Sequence, residues 1–328
     1  MPKLRLTIAT EDYDRVRPLV DGRVRIEGCE INYLCLGPEE AFYRAFTNKE
    51  FDVTELSFSS YMIARSRGIA DYIAIPVFLS RMFRHSAIYI RKNAGIERPQ
   101  DLKGRRVGVP VYAMTASLWV RGMLADDYGV MPGDIHWMTG GLEQAGRYGK
   151  YPLNLPPHIK VEPIPSDRTL SDMLASGEIT ALVSARAPSC FGNGDVVRLF
   201  PKFRQLEKEY YRKNRLFPIM HGLAVREDLA AREPWLPSSV FKAFLEAKRM
   251  AMMDMRDVAA LRLTLPWLAA EIEETVETIG EDYWPYGFKR NLAELETMTR
   301  WSFEQGLAVR QLDPKELFYP ATLEQARI

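Results

Sequence analysis

The sequence has no apolar run near the ~18 residues that a membrane span takes. Its first fourteen residues, MPKLRLTIATEDYD, read as a strand and not as a secretory leader, so a cytoplasmic protein with no membrane partner is expected. Cysteine is scarce: Cys29, Cys35 and Cys190 form no Cys-x-x-Cys pair, which leaves no disulfide framework and points to a reducing compartment. An excess of charge is missing as well. Lys plus Arg is 44 and Asp plus Glu is 43, with no basic run interleaved with aromatics, so no nucleic-acid partner is expected. Neither Gly-rich phosphate loop occurs, GxGxxG or GxxxxGK[ST], and the GxSxG elbow of serine hydrolases does not occur either. The four histidines never fall in His-x-His or His-x-x-x-His spacing, so the sequence marks no metal site.

What is present is globular. Apolar residues make up 47% and charged residues 27% of 328 positions, a length that suits two domains. Strand patterns alternate with helix patterns, which predicts an α/β fold. LRLTIAT, INYLCL, YIAIPVFL and SAIYIRK read as strands, and PEEAFYRAFTNKE as a helix. FDVTELSFSSYMIARSRG reads as a short strand, a loop from Thr54 to Ser60, then a helix. A second unit follows with strands RVGVP, DIHWM and VEPIP, a helix from about Thr115, and the helix–Gly–strand series RTLSDMLASGEITALVS. FPIMHGLAV reads as a strand returning to the first unit, and the stretch from Pro234 onward as mostly helical. Gly140 to Lys160, rich in Gly and Pro, reads as a loop or hairpin insertion.

DLKGRRVGVP, Thr115, VRGMLADDYGV and SGEITALVSARAP form the pattern of the second lobe of type II periplasmic-binding-protein folds. LTIATEDYDRVRPLVDGRV, FDVTELSFSSYMIARSRG and AIPVFLSRMFRHSAIYI are more specific, and with them nearly the whole chain resembles the 4,5-dihydroxyphthalate decarboxylase family. The CCCFC segment of the thiamine-pyrimidine synthases of this fold is absent. The resemblance implies two lobes, residues 1–92 with 218–328 and residues 93–217, a ligand cleft between them and a helical C-terminal region. It implies a cytoplasmic carboxy-lyase acting on an aromatic dicarboxylate in phthalate degradation, without a cofactor. A non-catalytic binding protein for an aromatic carboxylate is the alternative from another class, and a dehydratase-like enzyme of menaquinone synthesis is a third.

Such a decarboxylation asks for a base near a ring hydroxyl, an acid near the ring carbon that loses its carboxylate, and cations for the other carboxylate. Arg81, Arg84 and His85 interrupt an apolar run, PVFLSRMFRHSAIYIRK, where the resemblance points residues into the cleft. The two arginines then hold carboxylate and His85 is catalytic; otherwise the stretch is a solvated turn. In TELSFSSY, Glu55 is a candidate base or proton donor, or a surface carboxylate. Ser59, with its neighbours Ser57 and Ser60, either binds an anion or caps the helix. Thr115 at a helix start, and Ser184 and Arg186 just past a strand, are candidate contacts to carboxylate or phenolate. His221, where the chain re-enters the first lobe, is catalytic or a satisfied core histidine. Asp12 and Tyr13 follow the first strand and could reach the ligand. Aromatic residues in the C-terminal third allow a homo-oligomer, and EDYWPYGF reads by default as core packing, otherwise as a lid or an oligomer contact.

Overall fold

A computed structural model describes residues 3–146 and 153–324. The chain divides into two compact units. One comprises Met1–Arg81, Ile219–Glu296 and Leu312–Ile328, and the other Met82–Pro218 and Thr297–Gln311. No helix among the described residues is long and apolar enough to cross a membrane.

The first unit holds a five-stranded sheet of β1 (Leu4–Thr10), β2 (Cys29–Cys35), β3 (Val53–Ser57), β4 (Tyr72–Arg81) and a late strand, Ile219–Arg226. The second unit holds β5 (Ile88–Arg91), β6 (Arg106–Val109), β7 (His136–Thr139), β8 (Lys160–Pro163), β9 (Ala181–Val183) and β10 (Val196–Arg198). The late strand is β11. Strand order in the first sheet is β2-β1-β3-β11-β4, and in the second β10-β5-β9-β6-β7-β8. β1 runs parallel to β2 and β3, while β11 lies antiparallel between β3 and β4.

Periodicity explains the packing of the first unit. Helix Leu236–Arg256 buries Val240, Phe241, Phe244 and Ala247, apolar residues at three- and four-residue intervals that form one stripe. That stripe joins Leu6, Ile8, Val53, Ile75, Val77, Leu223 and Val225 of the sheet in one core. The second core gathers Leu170, Met173 and Leu174 of helix Leu170–Ser176 against Ile179, Leu182, Tyr89 and Met138. The helix stops at Gly177, whose φ of +85° is a conformation glycine adopts freely.

The structure corrects the reading of Thr54 to Ser60 as a loop. β3 runs through Ser57 and helix Phe58–Ser66 starts at the next residue. β3 is flanked by β1 and β11, so its five residues are all buried, the polar ones included. The unit boundaries also differ from those expected. Residues 82–92 belong with the second unit because β5 pairs with β9 and β10. Thr297–Gln311 belongs there because buried Arg121 donates from Nε to Gln305 Oε1 at 2.8 Å and Gln305 donates to the Leu118 carbonyl at 3.0 Å. Trp301 packs edge-on against Trp119 beside them, with ring centroids 5.1 Å apart. Of the expected insertion, residues 147–152 lie outside the described residues, and both flanks are irregular. The sequence reading missed helix Phe203–Asn214, in which only Tyr210 is buried.

Candidate functional site

A carboxylate in the middle of a buried strand is costly unless donors surround it. Glu55 is such a residue, with its side chain fully buried. Three donors converge on it. The Glu11 backbone N–H donates to Oε2 at 2.9 Å, the Tyr13 hydroxyl donates to Oε1 at 2.7 Å, and His221 Nδ1 lies 2.7 Å from the same Oε1. Burial alone would raise the carboxyl pKa. The bonds from His221, Glu11 and Tyr13 and the charge of His221 outweigh burial and hold the pKa below its ordinary value.

The fold delivers each partner. β11 sets His221 across from Ser57 of β3 and Ser80 of β4, with an irregularity in its pairing to β4 on either side. The imidazole is a fifth exposed, and the Phe42 ring meets it edge-on at 4.9 Å. Glu11 and Tyr13 come from the turn after β1, closed by the Tyr13 N–H on the Glu11 carbonyl at 3.0 Å. The Arg15 guanidinium lies 4.0 Å over the Tyr13 ring and 4.3 Å over Trp284, and donates to the Leu79 carbonyl at 2.8 Å. Burial, then the charge of Glu55, push the Tyr13 phenol pKa far upward, so its hydroxyl stays protonated and donates.

A carboxylate on Nδ1 fixes the ring's role. When the imidazole is neutral, the proton sits on Nδ1 toward Glu55, and Nε2 carries the lone pair. When it is charged, Nε2 carries a transferable proton and Glu55 offsets the charge. A buried carboxylate on one nitrogen of a partly exposed imidazole is an arrangement that can hold and move a proton.

The other sequence candidates stand elsewhere. Ser59 is buried in the first turn of helix Phe58–Ser66. Arg81 ends β4 with a fully buried side chain, in place of the free carboxylate clamp expected of it. Its guanidinium bonds Asn291 Oδ1 and the Pro285 carbonyl (3.2 Å) and lies 3.6 Å from Glu294. Burial pushes its pKa down to about 10.

His85 belongs to the second unit and is 2% exposed, which argues against the catalytic role expected of it. Phe200 and Tyr210 meet its ring at 5.6 and 5.1 Å, and Nδ1 is 4.0 Å from Glu207 Oε1. Burial lowers its pKa to about 4, so near neutral pH it has no proton to give from a charged form. Arg84, half-buried beside it, is likewise pushed down to about 10 by burial, with Glu207 opposing. Thr115 is the buried first residue of helix Thr115–Tyr128, with Met114 at the cap position. Ser184 is buried past β9, its N–H on the Ala87 carbonyl at 3.0 Å, and the N–H of exposed Arg186 meets its Oγ at 3.3 Å.

Thus Glu55 and His221 are brought together, 166 residues apart in sequence. Of the three side chains gathered at Glu55, Tyr13 has the weakest sequence signal. Its only mark is its place in the turn that follows a strand.

Comparison with known proteins gives the following. A family model described as ABC transporter, phosphonate, periplasmic substrate-binding protein matches residues 22–145. A 4,5-dihydroxyphthalate decarboxylase of Comamonas testosteroni is 44% identical over 330 residues, covering all of both chains. A second protein of that name, from Pseudomonas putida, is 50% identical over 194 residues, 59% of this chain and 75% of its own. Among solved structures, the periplasmic aliphatic sulphonate binding protein SsuA from Escherichia coli aligns with a TM-score of 0.53 at 14% identity, over 99% of this chain and 100% of its own. That likeness shows a shared solute-binding-protein fold.

Proposed function

The chain belongs to the 4,5-dihydroxyphthalate decarboxylase family, and from that premise we propose that it removes one carboxylate from 4,5-dihydroxyphthalate, releasing carbon dioxide and 3,4-dihydroxybenzoate, with His221 and Glu55 as its acid–base pair. One observation carries the choice of residues: a buried carboxylate 2.7 Å from Nδ1 of a partly exposed imidazole.

Each ring hydroxyl of this substrate is para to a carboxylate. Loss of the hydroxyl proton raises electron density on the carbon bearing that carboxylate. His221 gives its Nε2 proton to that carbon. The bond to the carboxylate then breaks, its electron pair returns to the ring, and carbon dioxide leaves. Over a turnover the hydroxyl proton passes to water and one returns to the phenolate once carbon dioxide has left, while the proton given to carbon is replaced on the imidazole from water. Glu55 holds the imidazole in place and stabilises its charged form. The protonated ring accepts the electrons, so the reading calls on no cofactor.

Ser59, Arg84, Thr115, Ser184 and Arg186 remain proposed substrate contacts, of which exposed Arg186 is the most accessible cation. Arg186→Ala is expected to raise KM more than it lowers kcat. We place the enzyme in the cytoplasm, a reading supported by its three free thiols. Self-association is part of the reading too. It is supported by the exposed apolar residues Val258, Leu261, Leu263, Leu265 and Trp267, and sedimentation would test it.

The deciding experiment mixes chelator-treated protein with 4,5-dihydroxyphthalate and follows carbon dioxide and 3,4-dihydroxybenzoate. Many turnovers are expected, falling by about 10²–10⁴-fold in His221→Asn. Binding without turnover would instead make the chain a solute-binding protein for an aromatic carboxylate. Turnover restored only by a divalent metal would overturn the metal-free mechanism.

A further inference from the structure

We infer that Tyr13 is a positioning residue for the decarboxylation: by donating to the same Glu55 oxygen that His221 Nδ1 uses, its hydroxyl sets how tightly the Glu55–His221 pair holds the transferable proton. This rests on the reading of that pair as the acid–base centre.

The geometry is specific. Glu55 has two oxygens, and the donors are not spread evenly over them. Oε2 takes the Glu11 N–H, and Oε1 takes both the phenol and the imidazole at 2.7 Å. Two donors on one oxygen each draw on the same negative charge, so each weakens the other's bond. The imidazolium depends on that charge far more than the neutral ring does. The phenol therefore works against the charged ring and lowers the pair's grip on its proton. A proton gripped less tightly is a better one to hand to a ring carbon.

The phenol is itself held for this task. Its ring lies under the Arg15 guanidinium, which also covers Trp284, and Trp284 is fixed by its Nε1–H on the Phe78 carbonyl at 2.9 Å. Ser80 hydrogen-bonds the phenol oxygen from β4, so serine, tyrosine, carboxylate and imidazole form one chain.

Other charged and titratable groups face this corner. Glu11, Asp14 and Arg15 come from the turn after β1, and Tyr33 from β2. Arg81 comes from the end of β4, and Tyr286 from the segment that follows Trp284. None of them is altered by replacing Tyr13 with phenylalanine, which keeps the ring and its stack and deletes only the donor.

The test follows the His221 imidazole by NMR against pH in wild type and Tyr13→Phe, the signal being assigned by its loss in His221→Asn. The titration is expected to lie at higher pH in Tyr13→Phe than in wild type. The acid limb of the kcat–pH profile should move with it. Tyr13 as a packing residue alone would leave the curve in place, and an unmoved titration in folded Tyr13→Phe overturns the inference. Should Tyr13→Phe fail to fold, Ser80→Ala decides by the same readout. A smaller shift in the same direction is expected there, and no shift overturns it. Turnover that survives in His221→Asn would sink the acid–base assignment while leaving the imidazole titration readable, so the two failures are distinct.

Discussion

Glu55 keeps its charge in a buried strand because each of its oxygens is occupied by donors. Glu55→Gln preserves the shape but offers the imidazole no charge. We expect it to fold and to lose about 10²-fold or more in turnover, measured as kcat with KM little changed. The second unit holds a contrasting pair. Buried His85 falls from its ordinary 6.5 to about 4, so between those values the unfolded chain binds more protons. Its contribution to stability is complete above 6.5 and lost as pH falls to about 4. Glu207 goes the other way. Burial raises it from 4.5 to about 7, against opposing bonds from the Ser86 and His85 N–H groups, so its contribution is complete below 4.5 and lost as pH rises through about 7. Thermal melts across this range should show the acid limb flattened in His85→Phe and the neutral limb flattened in Glu207→Gln. Glu55 and His221 could be singled out in the sequence by residue type, but not as partners, since pairing came from β3 and β11 lying side by side. Arg81 and His85 show the limit of such a reading: a polar residue that interrupts an apolar run reads the same whether it meets a ligand or lies in an interior.

Among elements, the long helices and the strands of the first sheet were legible because their apolar periods differ. β3 was not. Val-Thr-Glu-Leu-Ser has too few apolar residues to look buried, and its burial comes from two neighbouring strands remote in sequence. Helix Phe203–Asn214 was overlooked although Phe203, Leu206 and Tyr210 stand at helical spacing, because charged residues crowd the segment and only Tyr210 is buried. Helix Thr115–Tyr128 carries a sharper constraint. A Cβ on Gly122 would collide with the Trp301 ring. Alanine normally favours a helix, yet Gly122→Ala should destabilise the protein by about 1–3 kcal/mol through overpacking. Chemical denaturation would check this, and an unchanged or increased stability would count against the tight Trp301 contact.

For the whole molecule, the two-unit α/β architecture was legible from alternating element types and from a late strand pattern, while the assignment of Thr297–Gln311 was not. No local pattern tells that Arg121 holds Gln305 across 184 residues. The position of β11 also governs the order of assembly on the ribosome. β4 has its place in the first sheet only through β11, which lies between it and β3. β4 ends at Arg81 and β11 starts at Ile219. At ~5–20 residues per second, translation leaves roughly seven to thirty seconds between their emergence. Throughout that interval β3 and β4 have emerged with an unpaired backbone edge, while Met82–Pro218 of the second unit is still being made. A nascent chain stalled before Ile219 should therefore expose apolar sheet and recruit holding chaperones, and one stalled past Arg226 should release them.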